Sequence, residues 1–309
     1  MNKNISNLIG VALGVLVIMV STASAQTPTR FLTLNSPNGF PVIPVMEGWI
    51  ANSDGSRTIS YGFVNRNTET DVDIPLGENN YLEPAEFNGM QPTHFPAGRS
   101  RGVFTITIPS EQADISVWWY LKTGDDEVLK IPGRASASAY ELDFIRPRPQ
   151  GSLQPLAGFG ENGPQAAGLQ AHVEDFPNPV RAGTPVVLTI NARDPSVRDA
   201  SDPRFGEPLP VSLQWFKHQG TGSIEFTRHE STVVAESEAD EDDDEVNIGA
   251  DANIVRLAEG FGIAKLYATF SEPGEYLVRT LVENFRAPDS SPGAQCCWTN
   301  VYQRVTVTP

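Results

Sequence analysis

Only two cysteines occur in 309 residues, and they are neighbours, Cys296 and Cys297. No disulfide framework can therefore staple distant parts of the chain, and its stability has to come from buried apolar side chains. Basic side chains are scarce. Lys and Arg together number 22 against 38 Asp and Glu, a formal net charge of −16. Such a surface repels nucleic acid and anionic lipid, which excludes both as partners. Histidine is rare as well, limited to His94, His172, His218 and His229. No Gly-x-Ser-x-Gly, His-Glu-x-x-His or phosphate-cradling glycine loop is present, so no established catalytic constellation can be read from the chain.

Long apolar runs are missing except at the start. Lys3 precedes an uncharged run from Leu8 to Val20, followed by the small-x-small site Ala23-Ser24-Ala25. The run is shorter than the about 20 apolar residues that cross a bilayer. Residues 1–25 are read as a cleavable signal peptide, which places the mature chain in the periplasm or the medium. No later stretch is long enough to cross a membrane, and no cysteine after the run offers a lipid anchor.

What is present is a β pattern. Short runs of Val, Ile, Thr, Phe, Tyr and Trp recur between Gly, Pro, Asn and Asp, and no long helical period appears. A hairpin is expected where Asn52-Ser53-Asp54-Gly55-Ser56 joins Gly48–Ala51 to Thr58–Val64, because an Asp-Gly step supplies positive φ. Further strands are expected at 103–108, 115–121, 128–131, 186–192, 211–216, 224–227, 264–270, 275–279 and 301–308. Breakers crowd the stretch after Arg146. The expected layout is an all-β protein of two β-sandwich domains, residues 30–146 and 168–309, joined by a Pro/Gly-rich linker at 147–167. Trp215 is expected in the core at the tryptophan position of an immunoglobulin-like sandwich.

The stretch Phe270-Ser271-Glu272-Pro273-Gly274-Glu275-Tyr276-Leu277-Val278-Arg279, with the closing Arg304-Val305-Thr306-Val307-Thr308, resembles the final half of PKD-like and other immunoglobulin-like bacterial modules. Tyr61–Asn67, Gly77–Asn80, Gln91–Arg99, Trp215–Gly220 and Gln295–Asn300 resemble a group of exported bacterial two-domain β proteins. The resemblance implies the two-domain layout and brings no activity with it.

Several residues qualify as sites. Cys296 and Cys297 in an oxidising compartment suggest a vicinal disulfide. Neighbouring Cα atoms lie about 3.8 Å apart, below the usual disulfide span of about 4.4 Å and upward, so that ring needs a distorted peptide. Reduced or intermolecular thiols and a soft-metal site such as copper(I) are the alternatives. The loop 235–247 is acidic, with eight carboxylates between Glu236 and Glu245. Asp240, Asp242 and Asp244 alternate as in a calcium loop, but Glu245 stands where the loop's glycine belongs, so weak calcium binding is the most they suggest. Trp118-Trp119-Tyr120 lies in an expected strand, and Trp119 is a candidate for stacking on a sugar. His94 and Arg99, in a long polar segment from Glu78 to Arg99, and Trp298 beside the cysteines complete the candidate binding residues. The expected function is a non-enzymatic exported binding or structural module for a protein or polysaccharide partner. Metal binding, carbohydrate binding and an unrecognised hydrolase are the alternatives.

Overall fold

A computed structural model describes residues 39–135, 138–142, 151–232, 252–290 and 297–309. The expected signal peptide, the acidic loop with Asp240, Asp242 and Asp244, and Cys296 lie outside the described residues.

Strand formation follows the residue pattern. In the first half the strands are β1 Val42–Ala51, β2 Arg57–Asn65, β3 Val72–Asp73, β4 Asn80–Glu83, β5 His94–Phe95, β6 Gly98–Ile108, β7 Val117–Leu121 and β8 Leu129–Gly133. The expected hairpin is there. β1 and β2 pair antiparallel around Asn52–Ser56, with Gly55 at φ +86° and the Asp54 carboxylate accepting from the Ser56 backbone and hydroxyl. Two three-stranded sheets, β1-β2-β6 and β4-β7-β8, face one another, and β3-β5 forms a small ribbon. Their inner faces meet in a core that includes Ile59, Tyr61, Phe63, Phe95, Phe104 and Trp119. The rings interlock, with Phe104 edge-on to Trp119 at 5.0 Å and Phe63 edge-on to Phe95 at 4.9 Å. Aromatic pairs in these offset and T-shaped arrangements add about 0.5–1.5 kcal/mol each to the area they bury.

The second half contains β9 Leu156–Phe159, β10 His172–Asp175, β11 Val180–Arg181, β12 Val186–Arg193, β13 Val211–Gln219, β14 Ile224–Arg228, β15 Ile254–Leu257, β16 Phe261–Phe270, β17 Gly274–Glu283 and β18 Trp298–Thr308. One sheet has the order β10-β18-β17-β13-β15, with β11 also on β18. The other has the order β14-β16-β12-β9. The short strands β10 and β11 run parallel to β18, and the remaining pairings are antiparallel. Trp215 on β13 is buried between the sheets. At the β16–β17 corner the Tyr276 hydroxyl donates to the Glu272 carbonyl at 2.9 Å and accepts from the Gly222 amide at 3.0 Å. Such a tyrosine corner, with the core tryptophan, is the hallmark of an immunoglobulin-like sandwich.

The stretch expected as a linker behaves otherwise from residue 151 onward. Ser152 and Gln154 are buried, and Leu156–Phe159 completes a sheet as β9 against β12. Breaker residues gave no period, yet Gly158 is where its sheet needs space: a Cβ there would sit 2.4 Å from the Pro164 carbonyl. Gly163 and Pro164 come back over β9 for the same reason.

A third apolar cluster belongs to both halves. Ile50 and Leu142 from the first meet Leu169, Leu281, Phe285, Cys297 and Trp298 from the second. The two halves accordingly belong to one compact unit.

Candidate functional site

The seam between the sandwiches is built on two interruptions of strand regularity. Pairing of β1 with β2 shifts register between Met46 and Gly48, and pairing of β2 with β6 shifts between Tyr61 and Phe63. A bulge re-aims backbone groups and bends its strand. In β6 the bulge contains Gly102 at φ +54°, which rests directly against the Trp298 indole. It also turns the carbonyls of Gly102 and Val103 toward the second sandwich. Asn300 Nδ2 donates to the former at 2.8 Å and the Tyr302 hydroxyl to the latter at 2.7 Å. Burial holds the Tyr302 phenol well above its ordinary value, against the lowering effect of the nearby Arg279 cation.

Sequence spacing hid why the outer face of β1-β2-β6 is small. Gly48, Ser60 and Gly62 are all buried there. A Cβ on Gly48 would collide with Leu142 at 2.6 Å, and one on Gly62 with the Ser100 carbonyl at 2.4 Å. Small residues let other chain segments lie close upon this sheet.

A polar arm flanks the apolar seam. The long segment Glu78–Arg99 is not a free loop, for it contains β4 and β5 and is folded around buried Asn80. The Asn80 amide donates to the carbonyls of Ile74 and Pro92 and accepts from the Trp119 indole at 3.0 Å. The arm's tip reaches β13. The Thr93 amide donates to the His218 carbonyl at 2.9 Å, His218 Nε2 donates to the Met90 carbonyl at 2.7 Å, and Gln219 Nε2 donates to the carbonyls of Gly89 and Gln91. His218 is fully buried. Burial and the nearby Arg279 cation pull its pKa down to about 3, against the Met90 hydrogen bond. Arg279 is also enclosed, lying 4.4 Å over the Phe216 ring, and burial lowers its pKa to about 10.

His94, expected in a working loop, closes this arm. Its Nδ1 meets Asp73 at 2.9 Å and its Nε2 lies 3.5 Å from Asp71. Asp73 also takes Lys217 Nζ of β13 at 3.1 Å. Burial pushes the Asp73 carboxyl up, but the hydrogen bonds and charges of His94 and Lys217 outweigh it and keep it below its usual range. Arg99 lies apart on β6 and binds Glu47 of the β1 bulge at 3.1 Å. Burial raises the Glu47 carboxyl against that pairing.

Trp119 overturns the sugar-stacking expectation. It is wholly buried, because alternation along β7 assigns it to the core together with Val117 and Leu121. The outward positions are Trp118 and Tyr120. Tyr120 stacks on Tyr81 directly across the sheet at 4.7 Å, and Lys130 Nζ lies 5.1 Å from the Trp118 ring. Trp298 is buried in the seam, so it offers no open aromatic face. Cys297 is buried beside it, with its sulfur 3.7 Å from the Ser152 carbonyl. The other histidines are scattered: His172 faces Glu174 at 3.3 Å on β10, and His229 stacks on Tyr267 at 4.9 Å. Among the described residues no three His, Cys, Asp or Glu side chains converge as a metal site.

At the edge of the seam a cleft of about 410 Å³ opens between the halves, walled by Thr105, Thr107 and Ile50 on one side and Gly168, Leu169 and Gln170 on the other. Domain junctions are a usual place for ligand sites. A second buried charge group stands away from it. Arg198 binds Asp289 at 2.7 Å and Asp194 at 2.8 Å, and these pairings outweigh the lowering effect of burial on the guanidinium.

The geometry defines a class: an all-β protein of two fused sandwiches, the second immunoglobulin-like. No protein-family model and no curated protein matches the chain. Among solved structures, a conjugative transposon lipoprotein from Bacteroides eggerthii aligns at 12% identity over 43% of this chain and 90% of its own, with a TM-score of 0.22. The D0-D1 domain of intimin aligns at 12% identity over 86% of this chain and 97% of its own, at 0.22. The collagen adhesin of S. aureus aligns at 10% identity over 86% and 93%, at 0.21. Scores this low carry no argument, and the fold stands on the strand pairing above. Among the described residues no helix is long and apolar enough to cross a membrane.

Proposed function

We propose that this protein is an exported, non-enzymatic binding or structural protein, periplasmic or secreted, whose two sandwiches work as a single rigid body. The seam is the observation that supports the reading. Its residues include His218 and Trp298, which hold one half against the other, and His94, which fixes the Asp73 carboxylate that receives Lys217 from the second half. A titratable group enclosed and hydrogen-bonded in this way is unfit for proton transfer: His218 at about 3 is neutral throughout the physiological range. Tyr302, Asn300 and Trp298 all engage the bulge of β6, so the relative orientation of the halves is specified by directional contacts rather than by a tether.

Rigidity gives such a protein a use. A fixed pair of sandwiches presents a composite surface without the entropic cost of ordering a hinge. The test is unfolding of the mature protein followed by tryptophan fluorescence, with cell fractionation for location. A single transition shared by Trp119 and Trp215, in material recovered outside the cytoplasm, is the expected result. Two separated transitions, or protein retained in the cytoplasm with its leader uncleaved, would overturn the reading.

A further inference from the structure

The cleft at the edge of the seam has a lining that differs from the rest of this acidic protein. Among the described residues, none that lines it is ionisable. Its polar wall consists of Asn52, Thr58, Thr105, Thr107 and Gln170, two amides and three hydroxyls, and its apolar wall is aliphatic. Asn52 donates to the Thr58 hydroxyl at 2.9 Å, and that hydroxyl lies 3.1 Å from the one on Thr107. Thr105 and Gln170 approach at 3.5 Å across the two sandwiches. We propose that this cleft binds a neutral saccharide. The proposal rests on the rigid-body reading above, because the two walls come from different sandwiches.

The chemistry selects that ligand class in three ways. Hydroxyl and amide side chains each donate and accept, and so does every hydroxyl of a sugar, whereas a carboxylate or phosphate only accepts. A charged ligand would find no counter-charge in this lining and would give up part of its hydration on entering. Ile50 and Leu169, otherwise buried in the seam, add an aliphatic edge, and with the threonine methyl groups they can meet the C–H groups of a pyranose. The volume falls within the roughly 300–1,000 Å³ of small-molecule sites. With no acid or base in the lining, a glycosidic bond held here is bound and not cleaved.

The experiment is calorimetric titration of the mature protein with four neutral disaccharides (maltose, cellobiose, lactose and N,N′-diacetylchitobiose), a uronic-acid disaccharide and an uncharged Ala-Gly peptide. Wild type, Thr107→Val and Gln170→Ala are compared. Both positions are exposed, so neither change disturbs a core. At least one neutral disaccharide is expected to bind, with each variant weakening it about three- to tenfold, the loss expected for one hydrogen bond. Absence of binding by all four, equal binding of the uronic acid, stronger binding of the peptide, or unchanged affinity in both variants would overturn the proposal. Unfolding of the same samples separates this failure from that of the rigid-body reading: one transition without sugar binding sinks only the cleft, and two transitions sink the seam.

Discussion

Gly102→Ala puts the seam itself to the test. Gly102 sits at φ +54°, where a side chain costs about 1–2 kcal/mol. A Cβ there would also lie 2.5 Å from Trp298 Cζ2 and 2.8 Å from Cε2 and Nε1. The indole cannot yield cheaply, since it is buried and packed edge-on to Phe285 at 6.1 Å. Overpacking of this kind costs about 1–3 kcal/mol, so the whole loss is about 2–5 kcal/mol. Gly98→Ala is the control. That glycine has φ +87° on the same strand, with nothing within 4 Å of a built Cβ, and should lose only the backbone part. Urea unfolding of both variants measures the difference. If the two lose the same free energy to within about 0.5 kcal/mol, Trp298 does not press on Gly102 and the seam described above is wrong.

Other perturbations probe neighbouring contacts. Tyr302→Phe leaves the buried Val103 carbonyl without its donor and should destabilise by about 1–3 kcal/mol, read by the same unfolding. Acid should weaken the fold through His218. Its folded pKa lies near 3 and its unfolded value near 6.5, so the unfolded chain takes up the proton first. That stability is therefore complete above about pH 6.5 and is lost as the pH falls toward 3, with a slope of at most about 1.4 kcal/mol per unit. A flat stability profile between pH 6.5 and 4.5, or an unaltered slope in His218→Gln, contradicts this. Trp119→Ala should cost about 3–5 kcal/mol as a core truncation, whereas Trp118→Ala on the outward face should cost far less. Cys296 and Cys297, if joined as the compartment argument expects, give an intact mass two hydrogens below that of the reduced protein.

Much of the strand layout was legible along the chain, because period-two burial is a local property. The hairpin at Asn52–Ser56 and the Trp215 core position follow from residues near one another in sequence. The short strands β3, β4, β5, β9, β10, β11 and β15 were not legible. They span two to four residues each, too few for an alternation to show, and form because a longer neighbour is already in place. Trp119 and Trp118 illustrate the remaining ambiguity. Alternation separates them onto opposite faces, but which face is the core is decided by the sheet opposite, β1-β2-β6.

The site was the least legible part. His94 and Trp298 look in sequence like chemistry-bearing residues on loops and edges, and no spacing rule relates Asn300 to Gly102, which lies 198 positions away. The chain alone determined that the protein is β-rich, strongly acidic and without a disulfide framework, since composition and alternation suffice for that. The tertiary structure alone decided that two sandwiches share a third core and enclose a neutral cleft. A sheet's outer face is buried or exposed according to what docks on it, and docking depends on the shape of distant segments, which a local pattern does not record.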